Sequence, residues 1–229
     1  MLNYAVERSL LAGLVPRGTE LDEWRGRSYV SVVGFLFLDT RVLGVPIPFH
    51  GRFEEVNLRF YVRRRSGDEW RRGVVFVKEL VPKLAVTLVA RALYNENYVT
   101  LPMQHDIQRP ADEPHRVTLV SYRWMLEGRT NQISVAVEGP LQPLVAGSEE
   151  EFVTEHYWGY TRQRDGGTCE YNVQHPRWQV ATAARAELDC DVSRLYGPAF
   201  VEPLRAKPVS AFLADGSEVT VSRGVRVGG

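Results

Sequence analysis

The sequence predicts an α+β fold, mostly antiparallel β, built as a single domain over residues 1–229. Three observations carry this reading. Several runs alternate apolar and polar residues, as "FEEVNLRFYVRRR" does over residues 53–65, and an alternation with period two belongs to a strand whose two faces differ. Short breaks containing Gly, such as "SGD" and "GR", separate those runs in the manner of hairpins. Helical periodicity is confined to a few short stretches.

Taken in order, residues 4–14 place Val6, Leu10 and Leu14 at helical spacing, and Pro16-Arg17-Gly18 ends the pattern, so a short amphipathic helix is expected there. "SYVSVVGFLFLD" is too apolar for an exposed edge and reads as a central strand. "GVPIPFHG" reads as loop. In residues 53–65, Val56, Leu58, Phe60 and Val62 form one face, and Glu55, Asn57, Arg59, Tyr61 and Arg63 the other. "EWRRGVVFVKELV" is its hairpin partner. Pro82 then suits the first turn of a helix reaching Tyr94, with Leu84, Leu88 and Ala92 four apart. Strands follow at "NYVTLPMQHDIQ", "HRVTLVSYRWML" and "TNQISVAVEG".

Ser148, with Glu151 three residues on and Glu149 and Glu150 between them, marks a helix start of the capping-box kind. "GTCEYNVQHPRWQVATAARAEL" reads as strand, loop and strand, "VSRLYGPAFVEPLR" as short helical pieces, and "PVSAFLADGSEVTVSRG" as a final hairpin across "ADGS".

Charge narrows the partners. The chain carries 28 Lys and Arg against 28 Asp and Glu, so no net field draws it to nucleic acid or to an anionic membrane. Arg63–Arg65 and Arg71–Arg72 read as solvated hairpin ends. Cys169 and Cys190 have no ligand-like spacing, so neither a disulfide framework nor a metal site is expected. His50, His105 with Asp106, and His156 do not reproduce a metal spacing, Glu155–His156 lacks the second histidine that a zinc helix would need, and no phosphate loop or dinucleotide fingerprint occurs, so no cofactor is expected. The N-terminus is not of secretory type and no run is long enough to span a bilayer, which points to the cytoplasm. A small-molecule ligand is the partner expected, with association into a homo-oligomer left open.

The chemistry-bearing candidates follow from the polar face of residues 53–65. Arg59 can fix a carboxylate with its planar fork, Glu55 can act as base or as the partner of Arg59, and Asn57 and Tyr61 can donate to a carbonyl oxygen. The competing reading is a ladder in water, in which such charges contribute little. His175 and Trp178, in "QHPRW", suit a general base or an aromatic clamp; the plainer reading is a turn histidine bonded to backbone beside a core tryptophan. Arg91 lies near the edge of its apolar stripe, placed to pair with Glu55 or Glu79, or to meet an anion.

"LNYAVERSLLAGLVPRGTELD", "FEEVNLRFYV", "GVVF" with "VAR" and "LPM", "GSEEEFVTEHYWGY" and "HPRW" occur in an order that resembles the YqjF-like family of uncharacterised bacterial proteins, within the acetoacetate-decarboxylase-like superfamily. The resemblance runs from Leu2 to Val221, and its most specific pieces are Glu55-x-Asn57-x-Arg59-x-Tyr61 and residues 147–157. It implies a curved antiparallel sheet closing into a barrel-like shell with a few packed helices. It also raises the imine-forming lysine of the decarboxylases. Here "ELVPKLA" offers Lys83 without a paired lysine and without Phe before the proline, so Lys83 reads as an ordinary solvated cation. The function expected is the binding of a small organic acid or apolar metabolite in the shell. The alternatives are an enzyme acting on a small oxo acid, as a decarboxylase-like lyase or a hydrolase, and a structural or interaction module.

Overall fold

Two long strands set the architecture, because each carries enough alternating apolar side chains to serve as the wall of a core. They are β3 (Ser28–Phe37) and β6 (Phe53–Ser66), which pair antiparallel with Val32 opposite Leu58 and Val30 opposite Phe60. The structure is a computed structural model and describes residues 1–38, 41–42, 45–46, 51–84, 87 and 95–228.

The remaining elements, in chain order, begin with β1 (Leu2–Val6), α1 (Arg8–Ala12) and β2 (Glu20–Leu21) before β3, then β4 (Arg41–Val42) and β5 (Val45–Pro46) before β6. After β6 come β7 (Glu69–Val81), β8 (Tyr98–Thr100), β9 (Met103–Gln108), β10 (Leu119–Leu126), β11 (Arg129–Val137) and β12 (Gln142–Pro143). The C-terminal part holds α2 (Glu149–Thr154), β13 (Trp158–Arg162), β14 (Thr168–Gln174), β15 (Gln179–Asp189), α3 (Val192–Tyr196) and a 3₁₀ turn at Pro198–Phe200. It ends with α4 (Val201–Arg205), β16 (Ser210–Ala214), β17 (Thr220–Val221) and β18 (Val225–Val227).

One sheet runs in the order β17-β14-β13-β7-β6-β3-β1-β16-β15-β11-β10-β9. Its ladders are antiparallel except where β7 meets β13 and β8, both parallel to it. The sheet is strongly curved. Val56, Leu58 and Phe60 of β6 pack against Tyr122 and Trp124 of β10 and Ile133 and Val135 of β11, all in one core. Gly34 permits a close approach of β3 to β10, since a Cβ there would lie 2.5 Å from the Tyr122 ring. The His105–Glu54 contact, 2.6 Å, brings β9 back to β6. No ladder among the described residues joins the two ends, so the sheet is curved and open rather than closed. Each fully buried Leu or Phe of this core contributes about 1.5–3 kcal/mol through burial.

The other face of the sheet is covered too. Tyr29 of β3, Tyr61 of β6, Val74 of β7 and Phe212 of β16 pack with Phe152 and Val153 of α2. The Ser148 hydroxyl caps α2 by accepting from Glu151 N at 3.1 Å, and Glu151 reaches back to Gly147 N at 2.7 Å, one residue earlier than the cap itself.

Three expectations are corrected. Residues 2–6 form a strand, because Leu2 and Tyr4 point into the core between β3 and β16; only Arg8–Ala12 is helical in the expected 4–14 segment. The C-terminal strands do not form a hairpin: β16 pairs with β1 and β15, whereas β17 pairs with β14. The basic runs are not simply solvated, since Arg71 and Arg64 hold the buried Glu170 at 2.5 and 3.3 Å and Arg72 holds Asp22 at 2.6 Å. Within the expected 44–51 loop, Val45–Pro46 pair with Arg41–Val42, and the rest lies outside the described residues. The expected helix from Pro82 to Tyr94 lies mostly outside them as well, and Arg91 with it.

Candidate functional site

A one-residue bulge decides which side chains meet on the covered polar face. Arg59 pairs with Phe76, but Leu58 pairs with Lys78 and Asn57 with Glu79, leaving Val77 as the extra residue of β7. In a regular ladder Lys78 would stand opposite Asn57. The bulge instead sets Glu79 beside Asn57 and turns Lys78 to the Leu58 face, where its ammonium donates to the Leu195 carbonyl. Asn97 stabilises the bulge by donating to Val77 O at 2.8 Å.

β8 then lies parallel to β7 with Tyr98 opposite Glu79, and places Glu96 just before it. The result is three buried carboxyls, with Glu55 and Glu79 each 2 % exposed and Glu96 6 %. Asn57 Nδ2 donates to Glu55 Oε1 at 3.0 Å and the Tyr98 hydroxyl to Glu55 Oε2 at 3.1 Å. Glu96 Oε1 accepts from the Thr161 hydroxyl and, at 2.8 Å, from the Tyr171 hydroxyl. Tyr171 can reach it because its ring lies over Gly159, where a Cβ would come within 2.0 Å of the ring. Glu79 Oε2 and Asn57 Oδ1 are buried with no partner among the described residues.

These carboxyls resist ionisation. Burial raises Glu55 to about 7, against the opposing pull of Asn57, Tyr98 and Arg59. Burial likewise raises Glu96 to about 7 despite Thr161 and Tyr171. Glu79 is pushed well up by burial and then by the charges of Glu96 and Glu55. Burial and mutual repulsion thus keep protons on these carboxyls at pH values where an exposed glutamate is ionised.

Arg59 stands next on the same face, two residues and about 7 Å along the strand from Asn57. Its Nη2 donates to Val153 O of α2 at 3.0 Å, while its Nε is buried with no partner and no carboxylate forms an ion pair with it among the described residues. Tyr61 follows, 1 % exposed, its hydroxyl 2.6 Å from Ser31 Oγ. The solvent-ladder reading of residues 55–61 therefore does not hold: Glu55, Asn57 and Tyr61 are buried, and Arg59 is half-buried beneath α2.

Beyond Tyr61 sits a group that sequence reasoning set aside. His156 is buried, its ring 4.7 Å from that of Tyr61 and 5.2 Å from that of Phe152. Its Nε2 lies 3.1 Å from Asp22 Oδ2, which also accepts from Arg72 Nε at 2.6 Å. Burial lowers His156 to about 4, with Arg72 and Arg59 acting in the same sense against the pull of Asp22. Burial alone would raise Asp22, but its bonds from His156 and Arg72 hold it below the usual carboxylate value.

His175 and Trp178 stand elsewhere. Their rings stack at 4.1 Å in the loop after β14, the His175 Nδ1–H donates to Pro176 O at 2.9 Å, and Trp178 Nε1 donates to Ser217 at 2.8 Å. His175 lies four residues past Tyr171, about 13 Å along a strand. It is bonded as a turn histidine, and the structure does not bring it to the glutamates. Lys83 is half-buried, two residues beyond the end of β7. Among the described residues, no group of three His, Cys, Asp or Glu side chains is arranged to hold a metal ion, and no helix is long and apolar enough to cross a membrane.

Glu96, Tyr98, Thr161 and Tyr171 were missed as site residues, because they arrive through the parallel pairings of β8 and β13 with β7, which leave no local mark in the sequence. The one available signal for Glu96 was an acid set two residues before the β-patterned "YVT".

Comparison with known proteins places this geometry. The DUF2071 family model, described as an uncharacterized conserved protein, matches residues 1–218. The chain is similar to the uncharacterized protein YqjF of Bacillus subtilis (strain 168), 26% identical over 188 residues that make up 79% of this chain and 71% of that one. Among solved structures it is similar to an acetoacetate decarboxylase-like enzyme from Sphingomonas wittichii RW1, at 16% identity and TM-score 0.59, covering 100% of this chain and 87% of that one. It is also similar to acetoacetate decarboxylase from Legionella pneumophila, at 14% identity and TM-score 0.61, covering 99% and 83%. A third similarity is to the enduracididine biosynthesis enzyme MppR complexed with pyruvate, at 12% identity and TM-score 0.58, covering 98% and 82%. At such identities these structures establish a shared acetoacetate-decarboxylase-like fold.

Proposed function

Because the chain belongs to the DUF2071 family, whose description carries no activity, its role has to be read from its own side chains, and we propose that it binds a small organic acid at Arg59. The observation that carries this reading is the state of Arg59. A guanidinium under α2, with a buried Nε that has no acceptor and no carboxylate paired with it among the described residues, is complementary to a planar anion of one or two oxygens. Glu55 stands by in a form that can be neutral, so it does not repel such an anion and can donate to it. The even charge balance favours a small molecule over nucleic acid or a membrane surface. The pyruvate held by MppR supports small oxo acids as the first ligands to test.

The test is a thermal-shift panel of acetate, pyruvate, acetoacetate and succinate. Wild type should rise in Tm with at least one of them, by mass action on the folded state. Arg59→Ala should lose the response and Arg59→Lys keep part of it. An unchanged response in Arg59→Ala would sink the proposal.

A second reading, catalysis on the bound acid, is favoured by one observation: Glu55 and Glu96 titrate near 7, where a carboxyl both gives and takes protons. In that reading Glu55 exchanges a proton with the carbon beside the carbonyl of an oxo acid. Deuterium incorporation into pyruvate or acetoacetate, followed by proton NMR, should then be accelerated by wild type and not by Glu55→Gln. Equal rates with and without protein would remove this second reading and leave binding.

A further inference from the structure

The His156 imidazole is held in one tautomer with its lone pair unused. Asp22, kept ionised by Arg72, can only accept, so the proton of His156 sits on Nε2 and Nδ1 is left as an acceptor. That Nδ1 is buried and has no donor among the described residues. An acceptor left so is costly unless some donor reaches it. The imidazole also lies close to the anion-binding group. Both pack against Tyr61, with His156 4.7 Å from its ring centroid and the Arg59 guanidinium carbon 5.7 Å from it. Both are tied to the same short segment, since Arg59 bonds Val153 O and His156 follows three residues later.

We infer that His156 Nδ1 is the acceptor for a hydroxyl on the bound ligand, so that the site selects small hydroxy acids over the same acids without the hydroxyl. This rests on the reading of Arg59 as the carboxylate fork. The carboxylate takes the free edge of Arg59, and the hydroxyl, one or two carbons away, donates to Nδ1. Asp22 is a positioning residue: it fixes the tautomer that presents a lone pair rather than an N–H.

The experiment pairs ligands that differ by one hydroxyl, lactate with propionate and malate with succinate, in titration calorimetry of the full chain. The hydroxy acid of at least one pair should bind about tenfold tighter or more, since its absence leaves a buried acceptor unpaired. In His156→Phe, whose ring can fill the place between Tyr61 and Phe152, the ratio should fall to about one while the plain acid still binds. Should that variant not fold, nitrogen-15 NMR of labelled histidine in wild type supplies the same answer: Nδ1 should show a free lone pair alone and move to a hydrogen-bonded shift on adding the hydroxy acid. Equal affinities within both pairs, or an Nδ1 signal unmoved by a bound hydroxy acid, overturn this inference and leave the Arg59 reading standing. Absence of binding by all four acids overturns both.

Discussion

Glu55 carries its carboxyl at about 7 in the fold against an ordinary value of 4.5, and this has a consequence for stability. A carboxyl raised in this way contributes stability that is complete below about pH 4.5 and is lost as pH rises through 7, because the folded chain binds the proton more tightly than the unfolded one. Glu55→Gln stays neutral throughout. Relative to wild type, that variant should gain up to about 3 kcal/mol between pH 4 and pH 8, as read by urea unfolding at the two ends. Asp22 and His156 titrate in both proteins and cancel, so the difference reports Glu55 together with the relief of Glu79 and Glu96 from its charge. A difference that does not change with pH would contradict its raised value. At this scale the sequence was partly legible. The alternation that separates Val56, Leu58 and Phe60 from Glu55, Asn57, Arg59 and Tyr61 could be read directly, but not what covers the second set, because α2 comes from a segment far along the chain. His156 was passed over because its partner Asp22 is 134 residues away in sequence.

The bulge in β7 and the glycine in β13 are the elements that assemble the glutamates. Deleting Val77 removes the extra residue and leaves a regular ladder in which Lys78 still stands opposite Leu58 and Glu79 still stands opposite Asn57, so the three glutamates should stay together. That variant is expected to lose about 1–3 kcal/mol of stability, measured by denaturant midpoint, since Val77 packs against the apolar core and its carbonyl accepts from Asn97. Gly159→Ala drives a methyl into the Tyr171 ring, so it should cost about 1–3 kcal/mol and detach the Tyr171 hydroxyl from Glu96. Ser148→Ala at the start of α2 should cost about 1 kcal/mol in the same assay. The bulge also separates the amine from the acids: Lys78, whose pKa burial lowers, lies on the face away from Glu79. Borohydride treatment with pyruvate or acetoacetate is therefore expected to leave no mass adduct on Lys78, and an adduct there would refute this separation. Elements with dense local signals, such as β3, the β6–β7 hairpin and α2, were legible. The segment 2–14 misled because Val6 belongs to both a two-residue and a four-residue pattern, and pairing with β3 and β16 settled it as strand. The final hairpin failed for a related reason, since a turn signal at "ADGS" does not fix which strands pair across it.

The molecule as a whole is a curved, open sheet with both faces covered, one by its own far strands and one by α2 and its neighbours. The order of motifs along the chain anticipated this acetoacetate-decarboxylase-like fold, a curved sheet or barrel-like shell, which here is a curved sheet whose ends no ladder joins among the described residues. Ordered motifs could do so because they report a shared topology. The polar chemistry lies on the α2 side of that sheet, where Arg59 stands between the three glutamates and the Asp22–His156 pair. The most direct test of the account is titration calorimetry of wild type and Arg59→Ala with small carboxylates, pyruvate and lactate among them, under conditions where both proteins are folded. The account predicts saturable binding to wild type and at least a tenfold loss in Arg59→Ala. No binding of any small acid to wild type, or equal binding to the two proteins, would contradict it.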